Sequence, residues 1–574
     1  MDYTMQLDTL WVLLGAALVF FMQAGFAMVE TGFTRAKNAG NIIMKNLMDF
    51  AFGSVVFYLI GFGILAGSKN GFWGGIDFFI RGTYDTGTIP LWAYVAFNTV
   101  FCATAATIVS GAMAERTKFS AYLVYSVVIS AVVYPISAHW VWGGGWLSSL
   151  SIGGATGFVD YAGSALVHMC GGIAALIGAK ILGPRIGKFD KNGKPRAIPG
   201  HSLTLGALGV MILWFGWFGF NPASSYGLSS IENALDVSNV FMTTNIAAAA
   251  STVTAMIITW IKYKKPDVSM TLNGSLAGLV AITAGCSVVD PWAATIIGII
   301  AGFVVVFGIE FIEKVCKIDD PVGAIGVHCL CGAFGTLAVG LFARENGLFT
   351  TGQWGQFVIQ LIGVLAIAAW VTVTMIITFT IIKKTMGLRA SVEEEVLGLD
   401  ITEHGLVSAY ADFTASVEEI YVDEPLAAEV TGNVPVDEAL PVQVKAAPPV
   451  ASDESGLRFT KVEIICKQSR FDALKTAMSR IGITGMTVTH VLGYGIQKGK
   501  PEFYRGAEIE SSLLPKVQVE IVVCKVPVKT VIDTAKKVLY TGHIGDGKIF
   551  IYNIENVIKV RTGEEGYDAL QDVE

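Results

Sequence analysis

Two matching stretches, Asp160-Tyr-Ala-Gly-Ser-Ala-Leu-Val-His168-Met-Cys-Gly-Gly172 and Asp320-Pro-Val-Gly-Ala-Ile-Gly-Val-His328-Cys-Leu-Cys-Gly332, decide the fold of this chain. In each of them an Asp stands eight residues before a Val-His pair that opens a Gly- and Ala-rich apolar run. An ionisable side chain inside an apolar span is costly and indicates a functional site. Because the pattern occurs twice, we interpret the two histidines as a pair.

The composition around these stretches is typical of a polytopic membrane protein. Of 574 residues, 53% are hydrophobic and 15% are charged, and the mean hydropathy is +0.58. A helix of about 20 apolar residues crosses about 30 Å of hydrocarbon. Eleven apolar runs qualify, near residues 10–33, 42–66, 91–113, 119–139, 162–183, 200–220, 238–261, 271–289, 292–311, 324–343 and 356–382. No positively charged segment precedes the first run, so we expect no cleaved signal peptide.

Positive charges in the short loops predict the orientation of the spans. With the N-terminus outside, 19 Lys and Arg fall on the cytoplasmic side, and three, Lys69, Arg81 and Arg344, fall outside. This bias favours an outer N-terminus and an inner C-terminus. Asp160 then lies in an outer loop and Asp320 in an inner one, which predicts an inverted 5+5 repeat with its site near the middle of the membrane.

Histidines about 12 Å of helix beyond each Asp are expected near the bilayer centre. A buried imidazole stays neutral, exchanges hydrogen bonds and can pass a proton, which suits conduction of a small polar solute. The spans offer few carboxylates, which argues against an acid-lined ion channel. Two other interpretations stay open: a purely structural histidine pair, and a metal site with Cys170, Cys329 or Cys331. The His-x-Cys spacing disfavours the metal site, because it points the two side chains to different helix faces.

Residues 1 to about 410 resemble ammonium transporters of the Amt/Mep/Rh family. The resemblance rests on Asp160 to Gly172, Trp142-Gly-Gly-Gly145, Trp217-Phe-Gly-Phe-Asn221, and Asp319-Asp-Pro followed by Gly-Val-His328. It implies the all-α Amt fold, transport of ammonium or ammonia without enzymatic activity, and a homotrimer in the lipid bilayer with one pore per subunit. No metal ion of its own is expected in the pore.

The resemblance also assigns pore residues. They are Phe101, Trp142, Asp160, His168, Trp217, Phe220, Ser224 and His328. Phe101 and Phe220 would form a stacked gate, and Trp142, Phe101 and Ser224 would line an outer recruitment site where aromatic faces attract a cation. Asp160 would be an indispensable acid near the mouth. From the residues alone, Asp160 is instead a helix N-cap and the aromatic side chains are core or lipid packing.

The chain after the last span divides into a tail, a linker and a soluble domain. Residues 389–410 resemble the family's cytoplasmic tail, which couples subunits. Residues 411–457 hold ten acidic residues, one Lys and five Pro, which is typical of a disordered linker with a reach of about 40 Å. The predicted domains are the membrane domain 1–388, this tail, this linker, and 458–574. Outside residues 411–457 the chain is close to neutral and has no basic face, so no nucleic-acid partner is expected.

Residues 458–574 alternate between strand and helix periodicities. Strands are predicted at 459–466, 486–493, 517–524 and 548–554, helices at 470–481 and 528–540, and a polar loop at 495–512. The order β-α-β-β-α-β is that of a ferredoxin-like α+β fold. Gly542 to Lys548 is open to two interpretations, a phosphate cradle or a plain tight turn.

This domain resembles a PII signalling protein over almost its whole length. The resemblance rests on Gly485-Met-Thr-Val488, Gln497-Lys-Gly499, Tyr504-Arg-Gly-Ala-Glu508, Leu514-Pro-Lys516, Gly542 to Lys548 and Arg561-Thr-Gly563. It implies a trimer that binds ATP or ADP between subunits, with Gln497 and Lys516 helping to hold Mg-ATP and 2-oxoglutarate. The implied nucleotide-contacting residues are Thr487, Gly495, Gln497, Gly545, Gly547, Lys548, Lys559 and Arg561.

Three positions depart from the PII pattern. Ile496 and Lys559 stand where the family has Arg, and Ile509 stands where many members carry a tyrosine that is nucleotidylylated. Control by that modification is therefore not expected, and nucleotide affinity is expected to differ. Arg505 matches the tip of the mobile loop that, in this family, plugs the cytoplasmic mouth of an ammonium transporter.

The sequence thus predicts an ammonium transporter of the cell membrane that its own cytoplasmic PII domain regulates in cis. ADP is expected to let the loop around Arg505 close the pore, and Mg-ATP with 2-oxoglutarate to withdraw it. A rival prediction is an ammonium sensor that passes a signal through the PII domain with little transport. A PII part with unrelated enzymatic activity is disfavoured, because it contains no nucleophile–base constellation.

Overall fold

The computed structural model describes residues 3–406, 409–410, 458–483, 485–493, 502–504, 507–509, 514–542 and 545–570. These residues form two compact units, Met1–Ala409 and Tyr410–Glu574. The first unit is almost entirely helical, and the second combines a sheet with two helices.

Among the described residues of the first unit, ten helices are long and apolar enough to span a membrane. They are α1 (Thr4–Phe33), α2 (Ala36–Ala66), α3 (Leu91–Ala112), α4 (Phe119–His139), α5 (Ser164–Leu182), α6 (Leu203–Ser225), α7 (Ile231–Tyr263), α9 (Pro291–Lys314), α10 (Ile325–Phe342) and α11 (Gly355–Thr385). A shorter apolar helix, α8 (Val268–Ile282), lies between α7 and α9. Between α4 and α5, β1 (Ser151–Ile152) and β2 (Ala155–Thr156) form a short antiparallel hairpin.

The predicted count of eleven spans is not confirmed. The run expected at 271–289 overlaps α8, which begins at Val268 and has only 15 residues. The chain turns after Ile282, where the backbone amide of Ala284 donates to the Ser164 hydroxyl at 2.7 Å instead of continuing the helix. The same hydroxyl donates to the Val280 carbonyl at 2.7 Å. The start of α5 therefore ends α8 early, through a tertiary contact that hydropathy does not register.

Small residues set the closest helix packing in the first unit. A Cβ atom at Gly32 of α1 would lie 2.4 Å from the Gly206 nitrogen of α6, and one at Gly209 would lie 2.6 Å from the Gly25 carbonyl oxygen. In an apolar surrounding, such close backbone approach replaces hydrophobic burial as the source of helix association. It fixes side by side two helices that both contribute to the site described below.

Helices α5 and α10, which carry the two histidines, run in opposite directions. The backbone amide of Arg185, just after α5, donates to Asp319 Oδ2 at 2.9 Å, just before α10. The end of one helix therefore meets the start of the other. The extension of this relationship to a full inverted repeat stays a prediction.

The residues after α11 fold back onto the same end of the unit. They form α12 (Val392–Leu397) and α13 (Leu399–His404). The Asp400 carboxylate accepts from the backbone amides of Gly40 at 2.9 Å and Asn41 at 2.7 Å, at the start of α2. Glu395 Oε1 accepts from the Ile186 amide at 2.7 Å, beside the α5–α10 junction. We call this end of the first unit, which carries residues 389–406, the tail face.

Four of the cations counted to orient the chain are buried. Arg116, Arg185 and Lys188 lie in loops between helices but are covered by other protein groups, whereas Lys45 lies within α2. The assignment of Lys45 as a loop charge was therefore wrong. The orientation itself stays a prediction.

The second unit contains the predicted order β-α-β-β-α-β in its main sheet. Its elements are β3 (Phe459–Cys466), α14 (Phe471–Arg480), β4 (Thr487–Gly493), β5 (Glu502–Tyr504), β6 (Ala507–Ile509), β7 (Leu514–Val523), α15 (Val528–Leu539) and β8 (Lys548–Ile554). The four long strands pair in the order β4-β7-β3-β8, all antiparallel. Apolar residues of the sheet and the two helices form one core, with Val462, Ile464, Leu474 and Val531 fully buried.

The predicted loop at 495–512 is corrected in part. Within it β5 and β6 pair antiparallel, Glu502 opposite Ile509 and Tyr504 opposite Ala507. Strands of three residues are too short for alternation to reveal them, since the pattern needs about four to eight residues.

Candidate functional site

His168 and His328 face each other in the interior of the first unit. Their Nδ1 atoms lie 3.3 Å apart, and the ring centroids lie 5.3 Å apart with an interplanar angle of 26°. Both side chains are buried. A hydrogen bond between two neutral imidazoles needs one donor and one acceptor nitrogen, so the two rings take complementary tautomers. The structure thus brings together the two residues that the repeated stretch singles out.

An Asp at the start of each helix positions its histidine. Asp160 Oδ2 accepts from the backbone amides of Ala165 at 3.0 Å and Leu166 at 2.8 Å. Asp320 Oδ2 accepts from the Ile325 amide at 2.7 Å. In both cases the capped segment, Ser164–Met169 or Ile325–Leu330, is a wide π turn. Such turns re-aim side chains relative to an α-helix, so the capped turn determines where each imidazole points.

Glycines four residues after each histidine let the two helices touch. A Cβ atom at Gly172 would lie 2.3 Å from the Cys329 backbone nitrogen, and one at Gly332 would lie 2.5 Å from the Ser164 carbonyl oxygen. Each glycine therefore faces the backbone of the partner's π turn. The gap between the imidazoles is set by this reciprocal backbone contact.

Gly172→Ala and Gly332→Ala are each expected to destabilise the protein by about 1–3 kcal/mol, the usual effect of overpacking. The backbones have to separate, so we also expect lower ammonium transport. Thermal unfolding in detergent measures the first effect. Gly53→Ala on α2 is the control, because its nearest neighbour outside the helix backbone would be the Ser130 hydroxyl at 3.3 Å. Equal unfolding temperatures for all three variants would contradict the packing account.

Aromatic rings pack beside the histidine pair, in contact with His168. Phe101 and Phe220 stack with centroids 4.1 Å apart and an interplanar angle of 18°. Trp142 lies edge-on to Phe101 at 6.0 Å. The Ser224 hydroxyl, one turn after Phe220, donates to the Phe220 carbonyl at 2.9 Å. Its oxygen lone pairs remain able to accept a hydrogen bond.

The aromatic stack continues onto His168. The His168 ring lies 5.4 Å from Phe220 and 5.0 Å from Trp217, nearly parallel to the latter. Trp217 Nε1 donates to the Thr283 hydroxyl at 2.9 Å, so its polar atom is already paired. Trp142 Nε1 donates to the Asp160 carbonyl at 2.9 Å. These bonds orient the indole rings and leave apolar faces around the imidazole.

Two buried polar atoms of the site have no hydrogen-bond partner among the described residues: His168 Nε2 and Asp160 Oδ1. Buried polar atoms are almost always paired with protein, water or ligand. The unpaired ring nitrogen is therefore a position where a small polar solute would bind. One ring carbon separates it from the Nδ1 atom that contacts His328.

A small cavity adjoins His328 toward the tail face. It has a volume of about 20 Å³, enough for one molecule of the size of water. Most of its lining is apolar, including Phe26, Leu213 and Val322, with Glu30 and Asn273 as polar members. The cavity beside His328 is thus small, and most of its lining is apolar.

The structure does not assemble the alternative metal site. No group of three His, Cys, Asp or Glu side chains in the described part of the chain has metal-binding geometry. Cys170, Cys329 and Cys331 are free thiols. The Cys331 thiol points toward the Ala301 carbonyl of α9, at 3.9 Å, rather than toward the imidazoles.

A buried ion network at the tail face was not anticipated from the sequence. Arg185 donates to Asp319 Oδ2 at 2.8 Å and to Glu115 Oε1 at 2.7 Å. Arg116 donates to the Asp319 carbonyl at 2.8 Å. The adjacent charges in Glu115-Arg116 and Asp319-Asp320, each at the end of an apolar run, were the available signal. The network holds the residue that precedes the Asp320 cap.

Burial alone would raise the pKa of Asp319, but hydrogen bonds from Arg185 and the charge of Arg116 lower it from 3.8 to about 2. A lowered carboxyl pKa stabilises the folded state above the ordinary pKa, and this stabilisation is lost as pH falls through the folded-state value. We therefore expect about 2 kcal/mol of stability to disappear between pH 4 and pH 2.

This prediction is tested by unfolding midpoints of the wild type and Asp319→Asn between pH 7 and pH 3. The deficit of Asp319→Asn is expected to shrink toward low pH. Asp290→Asn is the control, because Asp290 is a half-exposed carboxylate that meets Arg344 at 3.4 Å. A deficit that is independent of pH would contradict the assignment.

In the second unit, three predicted positions, Gly495, Gln497 and Arg505, lie outside the described residues, as does the departure at Ile496. The structure describes Thr487, Lys516, Gly545, Gly547, Lys548, Lys559 and Arg561. Lys559 pairs with Glu564 at 3.5 Å. Ile509 lies in β6.

In the described part of segment 542–548, the Asp546 carboxylate accepts from the amides of Thr541 at 2.7 Å and Gly542 at 3.1 Å. Gly547 has a φ of 121°, and a Cβ atom there would lie 2.1 Å from the Ile465 carbonyl oxygen, so only glycine fits. Lys516 Nζ lies 3.5 Å from the Gly545 carbonyl. These contacts stabilise the described residues of the segment without a ligand, so both interpretations of the segment, a phosphate cradle and a plain tight turn, stay open.

Predicted nucleotide contacts fall at two separate edges of the sheet. Thr487 is on the edge strand β4, and Lys548 is on the opposite edge strand β8, with β7 and β3 between them. Within one subunit the structure does not bring these two residues together.

Comparison with known proteins gives matches to both units. The family model described as Ammonium Transporter Family matches residues 10–409, and that described as Nitrogen regulatory protein P-II matches residues 459–564. Ammonium transporter Amt2 of Archaeoglobus fulgidus is 51% identical over 74% of this chain and 92% of its own length. Putative ammonium transporter sll1017 of Synechocystis is 42% identical over 70% of this chain and 89% of its own.

Solved structures resemble the first unit. One described as a sensor Amt protein is 39% identical with a TM-score of 0.65, over 70% of this chain and 99% of its own. Mep2 of Candida albicans is 26% identical with a TM-score of 0.61, over 68% of this chain and 87% of its own. These structures share the fold of the helical unit.

Proposed function

The chain belongs to the ammonium transporter family and ends in a P-II domain, and we propose that it conducts ammonium through the path built around His168 and His328. The observation that carries this proposal is the imidazole pair, whose Nδ1 atoms lie 3.3 Å apart between stacked aromatic rings and a cavity of molecular size. The relatives are named as transporters, and we propose no enzymatic activity.

Each part of the path has a role in this proposal. The faces of Phe101 and Trp142 attract the cation at the entrance, and the Ser224 oxygen accepts one of its N–H groups. The stacked Phe101 and Phe220 exclude hydrated ions, because apolar rings offer no polar groups that replace the water ligands of the ion. His168 Nε2, which no described group pairs, then exchanges a hydrogen bond with the desolvated solute.

The test is the electrical response of the full chain in proteoliposomes to ammonium pulses. A sustained current that saturates with ammonium supports transport. A sensor, the second candidate, is suggested by the 39% identity to a structure described as a sensor Amt protein. A sensor would give a brief charge displacement on binding without sustained current, and that outcome would overturn the transport proposal.

We further propose that the P-II domain lies in the cytoplasm, with the N-terminus outside, and regulates the path in cis. Thr487 and Lys548, on opposite sheet edges, would meet a common nucleotide only between copies of the domain, which supports an oligomer, and we propose a homotrimer as in the families that the chain resembles. ATP or ADP would bind there, with Mg²⁺ and 2-oxoglutarate near Gln497 and Lys516. The tether keeps the domain at a local concentration of roughly millimolar, so weak association suffices.

ADP enclosed on the P-II side of proteoliposomes is expected to lower the ammonium current, and Mg-ATP with 2-oxoglutarate to restore it. Because the tether keeps the domain at a roughly millimolar local concentration, the bound ligand decides whether the domain closes the path. We therefore expect a severalfold change in the ammonium current. Currents are compared with those of Lys548→Ala, which removes a positive charge from the proposed nucleotide site. Chains ending at residue 410 serve as the control without the domain. Equal currents with ADP and Mg-ATP in the wild type would refute regulation in cis.

A further inference from the structure

A buried carboxylate lies beside the cavity next to His328. Glu30 of α1 lines this cavity together with His328 and is only 3% exposed. Its Oε2 accepts from the Ser110 hydroxyl at 2.7 Å. The neighbouring Gly111 keeps the space open, because a Cβ atom there would lie 2.5 Å from Val322 Cγ2 and 3.7 Å from Glu30 Cγ. A solute that leaves His328 toward the tail face therefore reaches this carboxylate next.

Behind Glu30 lies a buried polar cluster between α1, α2, α3 and α4. Its members are Gln23, Glu30, Lys45, Asn46, Asp49, Thr107, Ser110, Tyr122 and Ser126. Asp49 accepts from the Thr107 hydroxyl at 2.6 Å and from the Ser126 hydroxyl. Thr107 also bonds to Gln23 Oε1 at 3.0 Å. The cluster thus extends from the cavity into the helix interfaces.

The hydrogen bonds of this cluster are incomplete among the described residues. Lys45 Nζ is buried without a hydrogen-bond partner there and lies 5.5 Å from the centroid of the Tyr122 ring. Lys45 also makes no ion pair within 4.0 Å of any described carboxylate, although its charge interacts with those of Glu30 and Asp49. Unpaired buried polar atoms of this kind mark sites of water or ligand. A simple structural salt bridge would have closed this gap.

The charges of the cluster do not balance. Two carboxylates, Glu30 and Asp49, face one ammonium group, Lys45, which leaves one formal negative charge when all are ionised. Beyond them, Glu115 is already paired with Arg35 and Arg185, and Arg116 lies 4.0 Å from Asp319. Tyr122 and Tyr125 of α4 also face the cluster. A buried unbalanced charge is costly, and one monovalent cation at the cavity would offset it.

We propose that Glu30 forms a second binding site for a small monovalent cation that carries N–H or O–H donors, on the tail-face side of the histidine pair. The inference rests on the proposed transport function. It adds a charged binding site to a path that is lined mostly by apolar side chains. Its ligand is either ammonium or a proton carried by water, since both present the same donor chemistry to a carboxylate.

The test uses the full chain in proteoliposomes with two stimuli, an ammonium pulse at constant pH and a pH jump without ammonium. Glu30→Gln keeps the shape and removes the charge, and we expect about a tenfold lower ammonium current, the size of one charge-assisted hydrogen bond. Asp49→Asn removes the same charge from the cluster at a residue that does not line the cavity. Asp49→Asn also lowers the negative charge that attracts a cation, but the Asp49 carboxylate is already occupied by the Thr107 and Ser126 hydroxyls, so it is expected to lower the current less than Glu30→Gln does.

The responses separate the two ligands. Loss of the ammonium response alone in Glu30→Gln assigns the site to ammonium, and loss of both responses assigns it to a proton. Unchanged responses, or equal losses in Asp49→Asn, overturn the proposal. If the wild type itself gives no sustained current, transport fails as a function. The binding transient of the wild type, and its loss in Glu30→Gln, then still tests the site.

A second variant keeps the test valid if Glu30→Gln does not fold. Glu30→Asp retains the charge but withdraws it from the cavity by one methylene. We expect its maximal current to stay close to that of the wild type, while the half-saturating ammonium concentration rises severalfold. An unchanged half-saturating concentration in a folded Glu30→Asp protein overturns the proposal.

Discussion

His168→Ala is expected to lower the sustained ammonium current by about tenfold to a hundredfold. The imidazole is the group with an unpaired polar atom at this point of the path, because the Trp217 N–H is already bonded to Thr283. A desolvated solute without that partner forfeits a hydrogen bond worth about 1.5–3 kcal/mol when one side is charged, which corresponds to that range of rates.

His328→Ala is expected to act in the same direction, and the double variant is expected to cost less than the two single effects combined. Residues that share a hydrogen bond are not additive, and the two rings share the Nδ1 contact. The control is His490→Ala, which removes an exposed imidazole from β4 in the other unit. A wild-type current in His168→Ala would refute the imidazole pair as the conduction site.

Asp160→Ala is expected to abolish measurable transport and to destabilise the protein by about 3 kcal/mol, because two buried amides lose a charged acceptor. Those amides, of Ala165 and Leu166, belong to the π turn that aims His168. Asp160→Asn retains an acceptor oxygen without the charge. We therefore expect it to keep most of the stability and a reduced but measurable current.

Asp320→Ala is the matched variant in the other stretch, since Asp320 caps α10 through the Ile325 amide. If capping explains the role of Asp160, both alanine variants lose stability and current together. Thermal unfolding and current are measured on the same preparations. A stable Asp160→Asn protein without any current would show that the negative charge, beyond the cap, is required.

The sequence predicted the imidazole contact because a local pattern repeats. An Asp, a spacing of eight residues and a Val-His pair are visible without any structure, and the same spacing returns at Asp320 and His328. In the second unit, the predicted strand at 459–466 and that at 548–554 coincide with β3 and β8. Period and local chemistry suffice for elements of this kind.

The features that were missed depend on contacts between distant segments. Hydropathy extended α8 to residue 289, because it could not register the Ser164 hydroxyl that ends the helix. Glu30 and Lys45 stand in different apolar runs as isolated charges, so nothing in either run predicts that they share one cluster. The sequence shows that the spans contain few carboxylates. It does not show that the side chains of Glu30 and Asp49 belong to the same buried cluster.

The reciprocal contacts of Gly172 and Gly332 have a consequence for selectivity. Main-chain contacts at these glycines fix the distance between the two helices that carry the imidazoles, so in the proposed transporter the motion of side chains changes the width of the path little. Discrimination between ammonium and its bulkier methylated derivatives is therefore expected to vary little with temperature until the protein unfolds. A sieve held open by flexible side chains would instead grow more permissive on warming.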